Sequence, residues 1–351
     1  MRPLIIASTL TISVAPALAL DFPIHANDLN PGERVFTSVH GAGGGPQTGA
    51  KDLLVIRRVA DNNWTFLKSG QTDETVNSNF LAYNRPVYAM AGGTVVGCWR
   101  NAPENKGKNN KLAAVTTTKK ILLQGNHLWI KQADGNIALY AHAIPGDISP
   151  SLCPNNAVYL TGTALSGPVP TQPEATVTGG ATVTAGQLLF HAGNSGNSGQ
   201  PHLHVHLVDA SNNWQPMKFT HGQTTPFNNN TASLDGPWTP LKGAALPMAT
   251  ILIWPPHPIG NWTYNGIDKD AFQRVFDHFV DSGEMADTIK CYLNGAAYDT
   301  TWIPAKGSWV AHAGMSGVDF FAKNTEYVNQ GFTLVSDYIC GSVVAAVWRK
   351  L

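Results

Sequence analysis

The sequence predicts a mainly β chain in two parts, an antiparallel β-sheet core followed by a small α+β repeat domain. Three observations predict it. Of 351 residues, 34 are Gly and 23 Pro against 43% hydrophobic content, the composition of short strands joined by turns. Apolar runs of strand length crowd residues 86–208. Near the C-terminus the apolar period changes to that of a helix, and the change occurs twice. The length suggests about two domains. Lys+Arg and Asp+Glu balance at 23 each, and the 13% charged fraction is about half the usual ~25%. Without a basic excess, the chain is not expected to bind nucleic acid.

Met1-Arg2-Pro3, an apolar run from Leu4 to Val14 and Ala17-Leu18-Ala19 have the layout of a signal peptide over residues 1–19. The run is too short to span a bilayer, and no other stretch approaches the roughly 20 apolar residues needed. A secreted or periplasmic mature chain starting near Leu20 is expected. Four cysteines suit an oxidising compartment and allow three pairings. If the chain has two domains, Cys98–Cys153 and Cys291–Cys340 is the parsimonious pairing. The absence of any C-x-x-C pair argues against a cysteine zinc site.

Residues 20–210 are read as the β core, with lead-in strands such as Leu53-Leu54-Val55-Ile56 up to about residue 66 and a flexible Gly41–Gly45 run. Leu128-Trp129-Ile130 and Ile137-Ala138-Leu139-Tyr140 flank Asp134-Gly135, a hairpin signal. Residues 104–111 and 165–181 read as surface loops. Residues 211–265, rich in Pro, Asn and Thr, read as a linker region, and residues 266–351 as two repeats. In the first repeat Phe272, Val275, Phe276, Phe279 and Val280 form one helical face, with Asp268 to cap its start and Gly283 to end it. In the second, Phe320, Phe321, Tyr327 and Val328 precede Gly331. Tyr292, Gly295 and Trp302 recur as Tyr338, Gly341 and Trp348. Each unit is expected to be a helix followed by a hairpin ending in Trp, with the helical aromatics in the core.

Pro201-His202-Leu203-His204-Val205-His206 follows a Gly/Ser/Asn loop from Gly193. On a strand, alternate side chains share a face, so the three imidazoles would project together as nitrogen donors suited to zinc.

Here the chain resembles the lysostaphin/LytM-type zinc endopeptidases that cut peptide cross-links in bacterial cell walls. Four pieces carry the likeness in the family's order: Pro86-Val87-Tyr88-Ala89-Met90-Ala91-Gly92-Gly93-Thr94-Val95-Val96, the hairpin ending Leu139-Tyr140-Ala141-His142, Val183-Thr184-Ala185-Gly186-Gln187, and the H-x-H of His202 and His204. The resemblance implies a LytM-type core, His204 as a zinc ligand, and His142 and His202 as catalytic residues flanking the hydrolytic water. The C-terminal residues 312–351 resemble, more loosely, bacterial tandem-repeat domains found beside secreted hydrolases.

One departure stands out. The family draws its other ligands from an H-x-x-x-D segment just before its "PVYA" strand. Counting back from Pro86 puts the Asp place near Ser78 and the His place near Glu74, and no His lies between His40 and His127. A one-residue slip pairs Asp73 with Asn77. Where many relatives have Glu after H-x-H, this chain has His206. Either zinc is lost, which is the expectation, or His204 and His206 rebuild a site with His142, Asp73 or Glu74. Two functions follow. One is a secreted zinc endopeptidase acting on cell-wall or other Gly-rich peptides. The other is an inactive homologue whose groove binds peptidoglycan or a protein partner.

Overall fold

The structure is a computed structural model that describes residues 19–38, 40, 45–60, 63–161, 175–227 and 233–350. The signal-peptide reading, apart from Ala19, and most of the Gly41–Gly45 run lie outside the described residues, as does part of the 165–181 loop. No helix among the described residues is long and apolar enough to cross a membrane. The chain divides into two units, one ending at Pro255 and the other beginning at Pro256.

The first unit is built on an antiparallel sheet. Its principal strands are β1 (Glu33–Thr37), β2 (Lys51–Ala60), β3 (Gly93–Trp99), β4 (Asn126–Gln132), β5 (Ile137–Ala143), β6 (Leu203–Val208), β7 (Gln223–Pro226) and β8 (Ile251–Trp254). They lie in the order β7-β8-β1-β2-β6-β5-β4-β3, with two-residue strands at either edge. Residues 211–265, expected as a linker, therefore belong to both units. Gln223–Pro226 and Ile251–Trp254 are strands of the sheet, because Thr224, Thr225, Leu252 and Ile253 are buried between neighbours.

The strands β4 and β5 pair around Asp134-Gly135, as the dipeptide predicts. Gly135 takes φ +90°, a conformation glycine adopts without a Cβ penalty. In β6, Leu203, Val205 and Leu207 point into the main core with Val35, Leu53, Leu128, Ile130 and Tyr140. The alternating His204 and His206 therefore face the other side of the sheet. Every residue of β6 is buried, so these imidazoles are not a solvated face.

The second unit contains β9 (Trp262–Asp268), α1 (Lys269–Asp281), β10 (Glu284–Tyr292), β11 (Ala297–Pro304), β12 (Ser308–Ser316), α2 (Gly317–Asn329), β13 (Thr333–Cys340) and β14 (Val343–Lys350). The sheets run β9-β11-β10 and β12-β14-β13. Each repeat is thus strand, helix, hairpin, with a leading strand that the sequence pattern concealed. In β9 the pairing is interrupted between Tyr264 and Ile267, and in β12 between His312 and Met315. Gly266 and Gly314 sit in those bulges with φ +69° and +71°. Two residues later come the caps. The Asp268 carboxylate accepts from the Asp270 N–H, and Ser316 forms a capping box with Asp319.

Trp302 and Trp348 are buried at the hairpin ends. Phe272, Phe276 and Phe279 are buried with them in the first repeat, whereas in the second only Tyr327 of α2 is buried and Phe320 packs alongside. Phe321 and Val328, expected in the core, are 71% and 51% exposed. They lie on the flank of α2, beside the Phe320, Asn324 and Tyr327 side that meets Trp348.

The cysteines pair as Cys98–Cys153 and Cys291–Cys340, the latter joining the equivalent strands β10 and β13. Replacing Cys98 and Cys153 by serine is expected to cost about 4 kcal/mol, the loop-closure value for a separation of 55. Calorimetry should give a lowered Tm with the far-UV spectrum retained; an unchanged Tm contradicts it. Glu284 supplies a second prediction. Burial, with no hydrogen-bond partner for either carboxylate oxygen among the described residues, pushes its carboxyl from 4.5 up to about 8. The folded chain holds a proton that the unfolded chain releases, so this contribution to stability is full below about 4.5 and is lost as pH rises through about 8. Glu284→Gln should flatten that part of the Tm–pH curve. An identical slope in the variant excludes Glu284 as its source.

Candidate functional site

The site forms where β2 meets β6. Antiparallel register places Asp52 directly opposite His204, with Leu53 opposite Leu203 and Lys51 opposite Val205. Cross-strand partners have Cβ atoms about 5 Å apart, so the carboxylate and the imidazole meet without any loop to bring them together. His204 Nδ1 lies 2.8 Å from Asp52 Oδ1. His202, just before the strand, brings its Nε2 to 3.3 Å from the same oxygen. His40, in the connection between β1 and β2, reaches the other oxygen, with Nε2 3.6 Å from Oδ2. Its ring stands edge-on to His204 at 5.0 Å between centroids.

From β5 comes His142, whose ring lies 4.7 Å from His202 and 5.8 Å from His204. Its backbone takes φ +73°, a left-handed conformation that is costly for a residue with a side chain. The register between β4 and β5 shifts one step away, between Asn126 and His127. This bulge turns the imidazole out of the strand's alternation and toward β6. Such strain, about 1–3 kcal/mol, persists only where surrounding contacts enforce it.

Those contacts are visible. The Ser195 carbonyl accepts a hydrogen bond from His142 Nδ1 at 2.7 Å, which places the proton on Nδ1 and leaves a lone pair on Nε2. Ser195 Oγ in turn donates to the Ala143 carbonyl and accepts from the Asn126 N–H. The Asn105 amide donates to the carbonyls of Asn194 and Gly196, and Glu104 accepts from the Asn194 N–H. The Gly/Ser/Asn loop is thereby fixed rather than free. Residues 104 and 105, expected in a surface loop, instead anchor it. Sequence reasoning missed Glu104, Asn105, Asn126 and Ser195 because each acts through a partner remote in the chain.

The titration behaviour follows from the packing. Burial acts to raise the Asp52 carboxyl, but the charge and hydrogen bonds of His202 and then His204 outweigh it and hold Asp52 well below the usual carboxylate range. Burial would lower His202; the Asp52 charge and hydrogen bond overcome this and raise it. Burial lowers His40, and burial with the like charges of His202 and His204 drives His142 far down, so both are neutral imidazoles near pH 7. Neutral nitrogen donors and an ionised carboxylate are the protonation states a metal requires.

Two groups of donors converge within 4.8 Å of one another: His40, Asp52 and His204, and His142, His202 and His204. The first is a two-imidazole, one-carboxylate set of the kind that holds catalytic zinc with a position left open. It fits zinc on donor chemistry and on the approach of both imidazoles to the two oxygens of one carboxylate.

Several expectations are corrected here. Asp73 and Glu74 are not at this site. Asp73 is exposed and bonds Thr75, and Glu74 is paired at 2.9 Å with Lys108. Both precede the "PVYA"-like strand in sequence, yet the sheet presents neither to β6. His206 belongs to neither converging group; its Nδ1 lies 3.0 Å from His204 Nε2, on the side of that ring away from Asp52. The residues that do converge with His204 are His40 and Asp52. The one sequence signal for them is an Asp at the polar phase of the strand starting at Lys51, twelve residues after a His that precedes a glycine run.

Asp52→Asn and His40→Ala are expected to abolish stoichiometric zinc binding after dialysis, while Asp73→Asn and Glu74→Gln retain it. Elemental analysis of the four proteins decides; zinc lost from the Asp73 or Glu74 variants would restore the upstream assignment.

Among the solved structures that the chain resembles, three illustrate the likeness. A zinc-containing peptidase from Vibrio cholerae is 18% identical, with 65% of this chain and 41% of that chain covered at a TM-score of 0.24. The match thus spans less than half of that protein. The M23 metalloprotease pseudoalterin, from the deep sea, is 13% identical over 68% of this chain and 97% of its own, with a TM-score of 0.29. The antimicrobial peptidase lysostaphin from Staphylococcus simulans is 13% identical over 89% and 87%, with a TM-score of 0.25. Residues 306–351 match a family model described as polyglycine hydrolase-like, structural repeat. No curated protein matches the chain.

Proposed function

We propose that the chain is a zinc-dependent endopeptidase, exported from the cell and acting on peptide cross-links of bacterial cell walls. One observation carries the reading. His40, Asp52 and His204 converge as a ligand set, and His142 and His202 bring ring nitrogens within 4.8 Å of one another and of His204. The resemblance of the PVYA, LYAH, V-x-x-G-Q and H-x-H segments to lysostaphin/LytM-type enzymes suggests the substrate class.

Zinc, when bound, supplies Lewis acidity: it polarises a carbonyl and makes water acidic enough to be deprotonated near pH 7. The remaining work falls to the chain's own residues. His142 offers a lone pair at Nε2, with its proton held on Nδ1 by the Ser195 carbonyl, and can take a proton there. His202 has Nδ1 hydrogen-bonded to the Gln200 carbonyl at 2.7 Å and its Nε2 toward Asp52, and is the more readily protonated of the two. With the Asp52 oxygens engaged by a metal, its Nε2–H would be the hydrogen available to negative charge developing on the substrate oxygen. Their pKa values are pushed apart by their surroundings, which separates a base from a donor. Burial of His142, His202 and His204 strengthens these interactions.

His142→Ala and His202→Ala are each expected to lower kcat/KM by about 10²–10⁴-fold while zinc content stays unchanged. The assay is release of new amino termini from purified peptidoglycan and from Gly-rich peptides. A zinc-loaded wild-type protein that releases none from either substrate disproves the reading.

A further inference from the structure

We propose that His206 is a positioning residue for His204, accepting the proton of its Nε2 so that Nδ1 faces the ligand set as a lone pair. The inference rests on the reading of His204 as a metal ligand.

An imidazole has two nitrogens, and a neutral ring carries one proton between them. His204 Nδ1 is the nitrogen beside Asp52, at 2.8 Å. For that nitrogen to offer a lone pair to a metal in place of the hydrogen it shares with Asp52, the ring's proton must sit on Nε2, and in a buried site something must accept a hydrogen bond from it. His206 Nδ1 is placed to do so, 3.0 Å away, with the two rings nearly perpendicular at 86°. No carboxylate or carbonyl competes for that proton among the hydrogen bonds of the described residues.

The surroundings of His206 fit this role and little else. Its side chain is buried on the sheet face shared by Trp129, Leu139, Ala141 and Val208. Trp129 stands edge-on to it at 5.2 Å. Its own Nε2 has no hydrogen-bond partner among the described residues, so His204 is its one polar contact. An unsatisfied buried nitrogen costs about 1–3 kcal/mol. An aliphatic residue would avoid that cost, as Val208 does two positions along the same face. The imidazole is therefore an expense to packing that only its bond to His204 offsets. His206 reaches the ligand set through His204 and does not join it.

The test is zinc affinity, by competition with a chelator, for the full chain and two variants. His206→Leu removes the acceptor and keeps the apolar packing. His206→Gln keeps an acceptor in its amide oxygen. The leucine variant should bind zinc about 10–100-fold more weakly, and the glutamine variant should recover most of the loss. Thermal unfolding of the metal-free proteins is measured alongside, to separate affinity from folding. Equal affinity in wild type and His206→Leu overturns the inference while leaving the metal site in place. Equal weakening in both variants also overturns it, since loss of shape rather than of the acceptor would then be the cause. A wild type that binds no zinc overturns the metal-site reading, and the inference with it.

Discussion

The pairing of Asp52 with His204 across β2 and β6 is the constraint on which the site depends. One carboxylate, fixed by strand register, takes His204 and His202 on one oxygen and His40 on the other. A slip of one residue would turn Asp52 to the core face and Leu53 to the site, and the buried Leu53 and Leu203 forbid it. The hydrophobic alternation that specifies the sheet therefore also specifies the donor set. Asp52 stays ionised although partly buried, because the imidazoles around it supply the charge and hydrogen bonds that burial removes.

A second layer holds the imidazoles in orientation. His142 sits in a strained backbone conformation and has its proton placed by the Ser195 carbonyl; Ser195 is tied to Asn126 and Ala143, and the loop that carries it to Asn105 and Glu104. These are buried polar groups with partners at both ends, which rigidifies a segment that its Gly, Ser and Asn content would otherwise leave mobile. The same logic gives His204 one polar partner on each ring nitrogen.

The second unit reaches stability by another route. Each repeat carries a glycine bulge, a helix cap and a buried hairpin tryptophan at corresponding places, and one disulfide joins the two hairpins. The repeats are not equally closed. Where the first helix presents Asp270 and Gln273, the second presents Val318 and Phe321, both largely exposed. Repetition preserves the packing positions at the sheet and leaves the outer helix surface free to diverge.

Local chemistry made much of this legible in the sequence. The hairpin at Asp134-Gly135, the helix cap at Asp268, the repeat carried by Trp302 and Trp348, and the alternation that gathers His202, His204 and His206 rest on neighbours within one strand or one helical turn. The leading strands of the repeats were hidden, because a glycine bulge breaks the period-2 pattern in each. The region 211–265 was hidden because its strands are short and bounded by prolines. Above all, His40 and Asp52 could not be read as partners of His204, which lies about 150 residues away. Asp73 and Glu74 stood closer in sequence to where the family pattern looks, and the fold leaves them exposed. By itself the sequence determined which residue types could do the chemistry and which strand would carry the paired histidines. Only the tertiary structure decided which carboxylate meets them, because strand pairing between distant segments is settled by burial of the whole sheet face and not by any spacing along the chain.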